Sequence, residues 1–466
     1  MTERPNLLIR FGRPALIVLG LAALGLIAVN LDVFDQALDT DIGDAQPVAA
    51  TVSPADDALR YMLGLTAASD QDPGQVGAAR LEAVRGNGTT LEAASDEIST
   101  ADLEADAIWL DRYPAVDCNS RSQLGCLDRL VQDLESRPID GARLRLMLER
   151  YRTLRGLSGF DEGPLLHADR ALVPDYGTVL RLARLSVAAA LQEEGAEAAL
   201  EELAAGRAFW EMMLREGDTM LARMVAVAGL WTQLQFVSEL VATGALTPEE
   251  LDRAAEIVRP LPAAAKDLGS AFATEQRTLA AALDDMRDRL PLARRVFIAL
   301  TEQPNATLNR FNRQVTQPMV ELSAAAPADF RQRVEQGPDH DKRQDKKQGL
   351  APDFSHRVFP PGLYNLGGTM LLQPFRVYSP WDYIGRIHDL SGMLGLVRLQ
   401  IEIEGVRVRR GEELSLDHDF VERIVEDSNE RNQYTGDAMR WEGAERMLGF
   451  DCFGESICRV RIQVGF

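Results

Sequence analysis

The chain has 466 residues, 46% of them apolar, and a formal net charge of −21. That is enough for two or three domains around a sizeable core, and it excludes a disordered tail. So acidic a balance argues against a nucleic-acid backbone or an anionic lipid surface as the main ligand, while leaving room for a local basic patch.

The first element is an apolar run at residues 14–31, PALIVLGLAALGLIAVNL. Residues 15–31 carry no charge and rise roughly 26 Å as a helix, just short of a ~30 Å hydrocarbon core. Arg4, Arg10 and Arg13 precede the run, and Asp32, Asp35, Asp39, Asp41 and Asp44 follow it. The positive-inside bias therefore predicts a single-pass anchor in the bacterial inner membrane, with residues 1–13 cytoplasmic and the body exported to the periplasm. A cleaved signal peptide is the competing reading. Ala23-Leu24-Gly25 has suitably small residues, but the apolar run continues to Val29 instead of giving way to polar sequence. No small residues lie four apart, so the run has no GxxxG-type dimerisation signal.

Residues 32–54 read as a flexible, Asp-rich tether, and residues 55–336 as a helical domain. Within that domain, helices are expected at 55–65, from the turn at Asp72-Pro73-Gly74 through Arg85, at 91–110, at 140–157 and at 196–216. The stretch 219–241 is apolar almost all round, through Met224, Leu230, Trp231, Leu234, Phe236 and Val237, and reads as a buried central helix. Asp218 is its candidate N-cap and Gly244 its C′ glycine. Thr247-Pro248-Glu249-Glu250 is a capping box with proline at N1. Further helices are expected at 266–290, 292–301, 306–323 and 327–336. No fixed repeat is present, so the fold class is mainly α: an irregular antiparallel helical bundle or short solenoid. Residues 337–354 read as a charged linker or loop. Residues 355–466 read as a small C-terminal α+β module, with helices at 383–404 and 417–430 and a terminal hairpin at 445–450 and 459–464.

Four cysteines form two close pairs, Cys118 with Cys126 and Cys452 with Cys458. This layout suits an oxidising compartment and two local disulfides, the second stapling the hairpin. The alternative, a four-thiolate zinc site, normally uses ligands two to four residues apart, closer than these. No metal and no cofactor are expected.

Familiar hydrolase, nucleotide and calcium signatures are missing. Two Asp-His-Asp triplets, Asp339-His340-Asp341 and Asp417-His418-Asp419, offer metal-ligand types, but consecutive side chains diverge on a helix. His388-Asp389 is the better catalytic candidate because it lies in an apolar setting near Trp381, against the plainer reading of a hydrogen-bonded structural histidine. Gly367-Gly368 reads as a turn, with an anion cradle as the alternative. The aromatic residues Trp231 and Phe236 suit core packing, or a cavity for an apolar ligand.

The segment Asn432-Gln433-Tyr434-Thr435-Gly436-Asp437-Ala438-Met439-Arg440-Trp441 resembles the Asn/Asp-Pro-Tyr/Phe-Thr/Ser-Gly-x-Pro-Leu/Met-x-Tyr stretch of uncharacterised helical envelope proteins of proteobacteria, which also begin with one apolar anchor. Gln433 and Ala438 replace the prolines. The resemblance implies location only. Physically, Tyr434-Thr435-Gly436 is a turn feeding a strand around Trp441. The functional expectation is a non-enzymatic binding or scaffold protein with envelope protein partners and no nucleic acid. The alternatives are an envelope hydrolase using His388 and Asp389, or a carrier of lipid or another apolar ligand.

Overall fold

The computed structural model describes residues 30, 35–39, 57–86, 113–119, 121, 123–137, 142–162, 173–336, 364–372, 381–410, 418–454 and 458–462. The expected anchor at 14–31, apart from Asn30, lies outside these residues. So do the helix expected at 91–110, the linker at 337–354 and the triplet around His340.

The chain is mainly helical, with a small three-stranded antiparallel sheet near its C-terminus. It divides into two compact units, and the division crosses the boundaries expected from composition. One unit comprises Pro47–Phe272, Leu322–Gln332 and Trp381–Phe466, and the other Met1–Gln46, Ala273–Glu321 and Arg333–Pro380. Trp381–Phe466 thus groups with the helices of Pro47–Phe272.

The larger unit is built on the central helix, Met220–Ala242. Its N-cap is Thr219 in place of the expected Asp218, because the Thr219 hydroxyl accepts from the Ala222 amide at 3.0 Å. It ends at Thr243, and Gly244 follows with φ +67°, the left-handed C′ position that glycine adopts without strain. Among the described residues this is the one helix long and apolar enough to cross a membrane, but most of it is buried inside the protein, as a core helix is. It packs on the helices Ala196–Glu216 and Trp381–Arg410, and the first of these turns back at Gly195 onto Tyr176–Glu194. The Gln400 amide ties the core to the sheet by donating to the Ser238 carbonyl (2.9 Å) and the Arg461 carbonyl (2.8 Å).

The sheet has the order β1 (Arg440–Glu442), β2 (Met447–Gly449) and β3 (Arg459–Arg461). Trp441 pairs with Leu448 and Leu448 with Val460, and the last two are fully buried. Sequence patterning anticipated the β2–β3 hairpin and the strand around Trp441. The capping box also forms as expected, with Thr247 and Glu250 exchanging hydrogen bonds ahead of Pro248–Ile257.

The smaller unit has its own core of Leu279, Leu283, Ile298, Leu371 and Leu372, with Leu290, Leu308 and Phe311 packed against it. Part of the expected tether is fixed there. The Asp35 carboxylate accepts from the Asn305 (2.9 Å) and Ala306 (3.0 Å) amides, capping the N-terminus of Pro304–Phe311, whose N-cap residue Gln303 makes no side-chain capping bond. Asn309 accepts from the Asp39 amide and donates to the Ala37 carbonyl, each at 2.8 Å. One step earlier, the Asn30 side chain, 3% exposed, accepts from the Asn365 amide at 2.7 Å. Gly367 and Gly368 lie in the helix Leu366–Leu371, which corrects the turn expected there.

Candidate functional site

His388 and Asp389 lie on Trp381–Arg410 within the larger unit, and both are buried. Two glycines on that helix admit aromatic rings from the sheet end. A Cβ on Gly385 would stand 2.2 Å from the Phe453 ring, and one on Gly392 would stand 2.4 Å from the Phe450 ring.

Asp389 is the hub. Its Oδ1 accepts from the Tyr434 hydroxyl (2.7 Å) and the Phe453 amide (2.8 Å), and its Oδ2 accepts from the Gly454 amide (3.1 Å). Burial pushes its carboxyl above the usual range, and these hydrogen bonds oppose the shift. Tyr434 is raised as well, first by burial and then by the adjacent carboxylate. The Arg331 guanidinium lies 4.1 Å over the Tyr434 ring and donates to the Cys452 carbonyl at 2.7 Å. The backbone around Tyr434 is the turn expected from sequence. The Asn432 side chain accepts from the Tyr434 amide at 3.0 Å, and Gly436 has φ +78°.

His388 is used differently. Its ring packs 5.0 Å from Phe330, its Nε2 is buried without a hydrogen-bond partner among the described residues, and burial pushes its pKa down to about 4. A base needs an acceptor face within reach of the proton it removes. Here the adjacent carboxylate is occupied by Tyr434 and two amides, so the structure does not join His388 and Asp389 as a catalytic pair.

The cysteines form two disulfides, Cys118–Cys126 and Cys452–Cys458, with Cα separations of 5.7 and 5.9 Å. Asp389 and the sulfurs of Cys452 and Cys458 lie within 4.8 Å of one another. Soft-metal ligation needs thiolates, and these sulfurs are engaged in the S–S bond, so the donor set does not fit. Asp417 lies outside the described residues; His418 Nδ1 accepts from Trp441 Nε1 at 2.9 Å and its Nε2 lies 3.9 Å from Glu422, on an exposed surface. Trp231 and Phe236, candidates for a ligand cavity, are fully buried in the helical core.

Sequence reasoning missed the buried and half-buried charges that hold loops to helices. The Arg150 guanidinium, 5% exposed, donates to the carbonyls of Leu65 (3.0 Å), Ala67 (2.5 Å), Ala68 (2.7 Å) and Gln71 (3.2 Å). From the central helix, Glu239 accepts from the amides of Gly125 (2.8 Å), Cys126 (3.0 Å) and Leu127 (2.7 Å). This caps the helix Cys126–Ser136, whose N-cap Gly125 has no side chain to do so. Glu239→Ala is therefore expected to lower stability by about 2 kcal/mol in urea melts, with Glu239→Gln losing roughly half as much. Equal losses for both would show that packing, and not acceptance from the amides, is what Glu239 supplies.

Comparison of the chain with protein-family models, curated proteins and solved structures finds no match.

Proposed function

We propose that this chain is a single-pass, membrane-anchored binding or scaffold protein of the bacterial envelope, with its N-terminus cytoplasmic and its helical body in the periplasm. It is of the same kind as the helical envelope proteins that its Asn432–Trp441 segment resembles. The observation that carries the reading is the fate of the one catalytic candidate: His388 is packed against Phe330, and Asp389 is committed to Tyr434 and a loop. Among the described residues this histidine and carboxylate are used to hold structure, which favours a function carried by surface. Two disulfides suit an oxidising compartment. Asn30, within the apolar run, and Asp35, just beyond it, are bonded into a folded unit, which suits a body that begins close to the proposed anchor.

The test joins topology to capture. A reporter that is active only after export, fused after Phe466, is expected to be active, and all four thiols are expected to resist alkylation in cells. Crosslinking in intact cells is expected to recover a discrete envelope protein. A reporter active only in the cytosol, four free thiols, or no specific neighbour would each count against the proposal.

A further inference from the structure

The helix Leu292–Thr301 of the smaller unit is turned inside out. Its buried residues are Ile298, which joins the unit's core, and Thr301. Stepping about 100° per residue, these two mark the inward face. The opposite arc holds Leu292, Ala293, Val296, Phe297, Ala299 and Leu300 and carries no charge. Leu292 is 76% exposed and Val296 49%, with Phe297 and Leu300 also exposed. Arg295 borders the arc on one side, whereas Arg294 falls on the inward side between Ile298 and Thr301. A soluble unit ordinarily shows water the reverse pattern.

The surroundings point the same way. The helix Leu366–Leu371, which packs against Leu292–Thr301, exposes Met370 at 50%. Among the described residues, the larger unit has only Val173 and Leu221 as exposed large apolar side chains, and all the others belong to the smaller unit.

What covers this face follows from where the unit is tied. Asn30, at the end of the apolar run, is bonded to the Asn365 amide, and Asp35 caps Asn305 and Ala306. Thr301, at the far end of the exposed helix, is four residues before Asn305, a reach of at most about 14 Å. A run that enters the bilayer therefore holds the Thr301 end of the apolar helix close to the bilayer surface.

We propose that Leu292–Thr301 is an interfacial helix. Its apolar arc sits in the headgroup and upper acyl region of the membrane that the N-terminal run crosses. This rests on the anchored reading proposed above. The net charge of −21 does not oppose it, because the attraction is apolar and local and the tether supplies the proximity.

The test uses the full chain reconstituted in vesicles of phosphatidylethanolamine with a minority of phosphatidylglycerol. An environment-sensitive fluorophore is placed singly by Val296→Cys, Leu300→Cys, Ala22→Cys within the run, and Leu221→Cys as a control on the larger unit. The expected result is a severalfold rise in emission at 296 and 300, with quenching by spin-labelled lipid and protection from iodide, while 221 is quenched by iodide. Iodide quenching at 296 and 300 with lipid contact at 22 overturns the interfacial helix and leaves the anchor standing. Iodide quenching at all three removes the anchor and the interfacial helix together. Protection of 296 and 300 from both quenchers assigns the face to a protein partner and also overturns the proposal.

Discussion

Asp389→Ala is expected to destabilise the larger unit by about 3–5 kcal/mol, read as a lowered urea midpoint with little change in slope. Asp389 is fully buried and answers three donors, so truncation leaves the Tyr434 hydroxyl and the Phe453 and Gly454 amides without their acceptor. The loss falls beside the Cys452–Cys458 loop. Asp389→Asn keeps one oxygen for Tyr434 and Phe453 but turns an N–H toward the Gly454 amide, and its cost should lie between that of the alanine variant and zero. Tyr434→Phe removes one hydrogen bond and should cost only about 1–2 kcal/mol. The direction is diagnostic. A catalytic carboxylate is usually held at the expense of stability, so its replacement tends to stabilise. A stabilising Asp389→Ala would return Asp389 to the list of functional residues.

The helices legible in the sequence are those whose own residues set their limits. Ala196–Glu216 and Leu292–Thr301 fall where the apolar spacing and Pro291 place them, and Thr247 with Glu250 fixes the start of the next helix beyond Gly244. The sequence reading missed Cys126–Ser136, which opens at a glycine and is capped by Glu239, more than a hundred residues away. It missed Tyr176–Glu194 as well, since that helix buries a long run of small residues, Ala188 to Ala190 among them, with little contrast between its faces. The grouping of the chain into units was also illegible, because Phe330 and Arg331 reach His388 and Tyr434 from a segment that composition assigns to another domain. Of the site, the sequence supplied His388 and Asp389 as neighbours on a helix. That the two are used separately depends on Tyr434 and the cysteine loop, which no local pattern ties to them.

The second large effect is a pair of opposed pH dependences. Glu162, 7% exposed, accepts from the Thr219 amide (2.7 Å) and hydroxyl (2.8 Å) at the start of the central helix. Burial nevertheless pushes its pKa up from 4.5 to about 7. A carboxyl raised on folding contributes stability that is fully present below 4.5 and is lost as pH rises through 7. His388 runs the other way: its pKa falls from 6.5 to about 4, first through burial and then through Lys266, so its contribution is present above 6.5 and lost as pH falls through 4. Each displacement is worth on the order of 3 kcal/mol, and the two windows nearly coincide, so each masks the other in the parent protein. Single replacements separate them. Glu162→Gln should match the parent at pH 4 and exceed it by up to about 3 kcal/mol at pH 8. For His388→Leu the gain should grow toward pH 4, and replacing the unpartnered Nε2 with an apolar side chain should cost little above pH 6.5. Asp57, Glu239 and Asp389 are also raised by burial, but they are common to parent and variant and drop out of the difference. Urea melts at half-unit pH steps give both curves. A Glu162→Gln difference that stays flat from pH 4 to 8 would mean that Thr219 and the helix N-terminus keep that carboxylate ionised despite its burial. A flat His388→Leu curve would mean that the imidazole charges inside its aromatic pocket without loss, which would restore it as a candidate base.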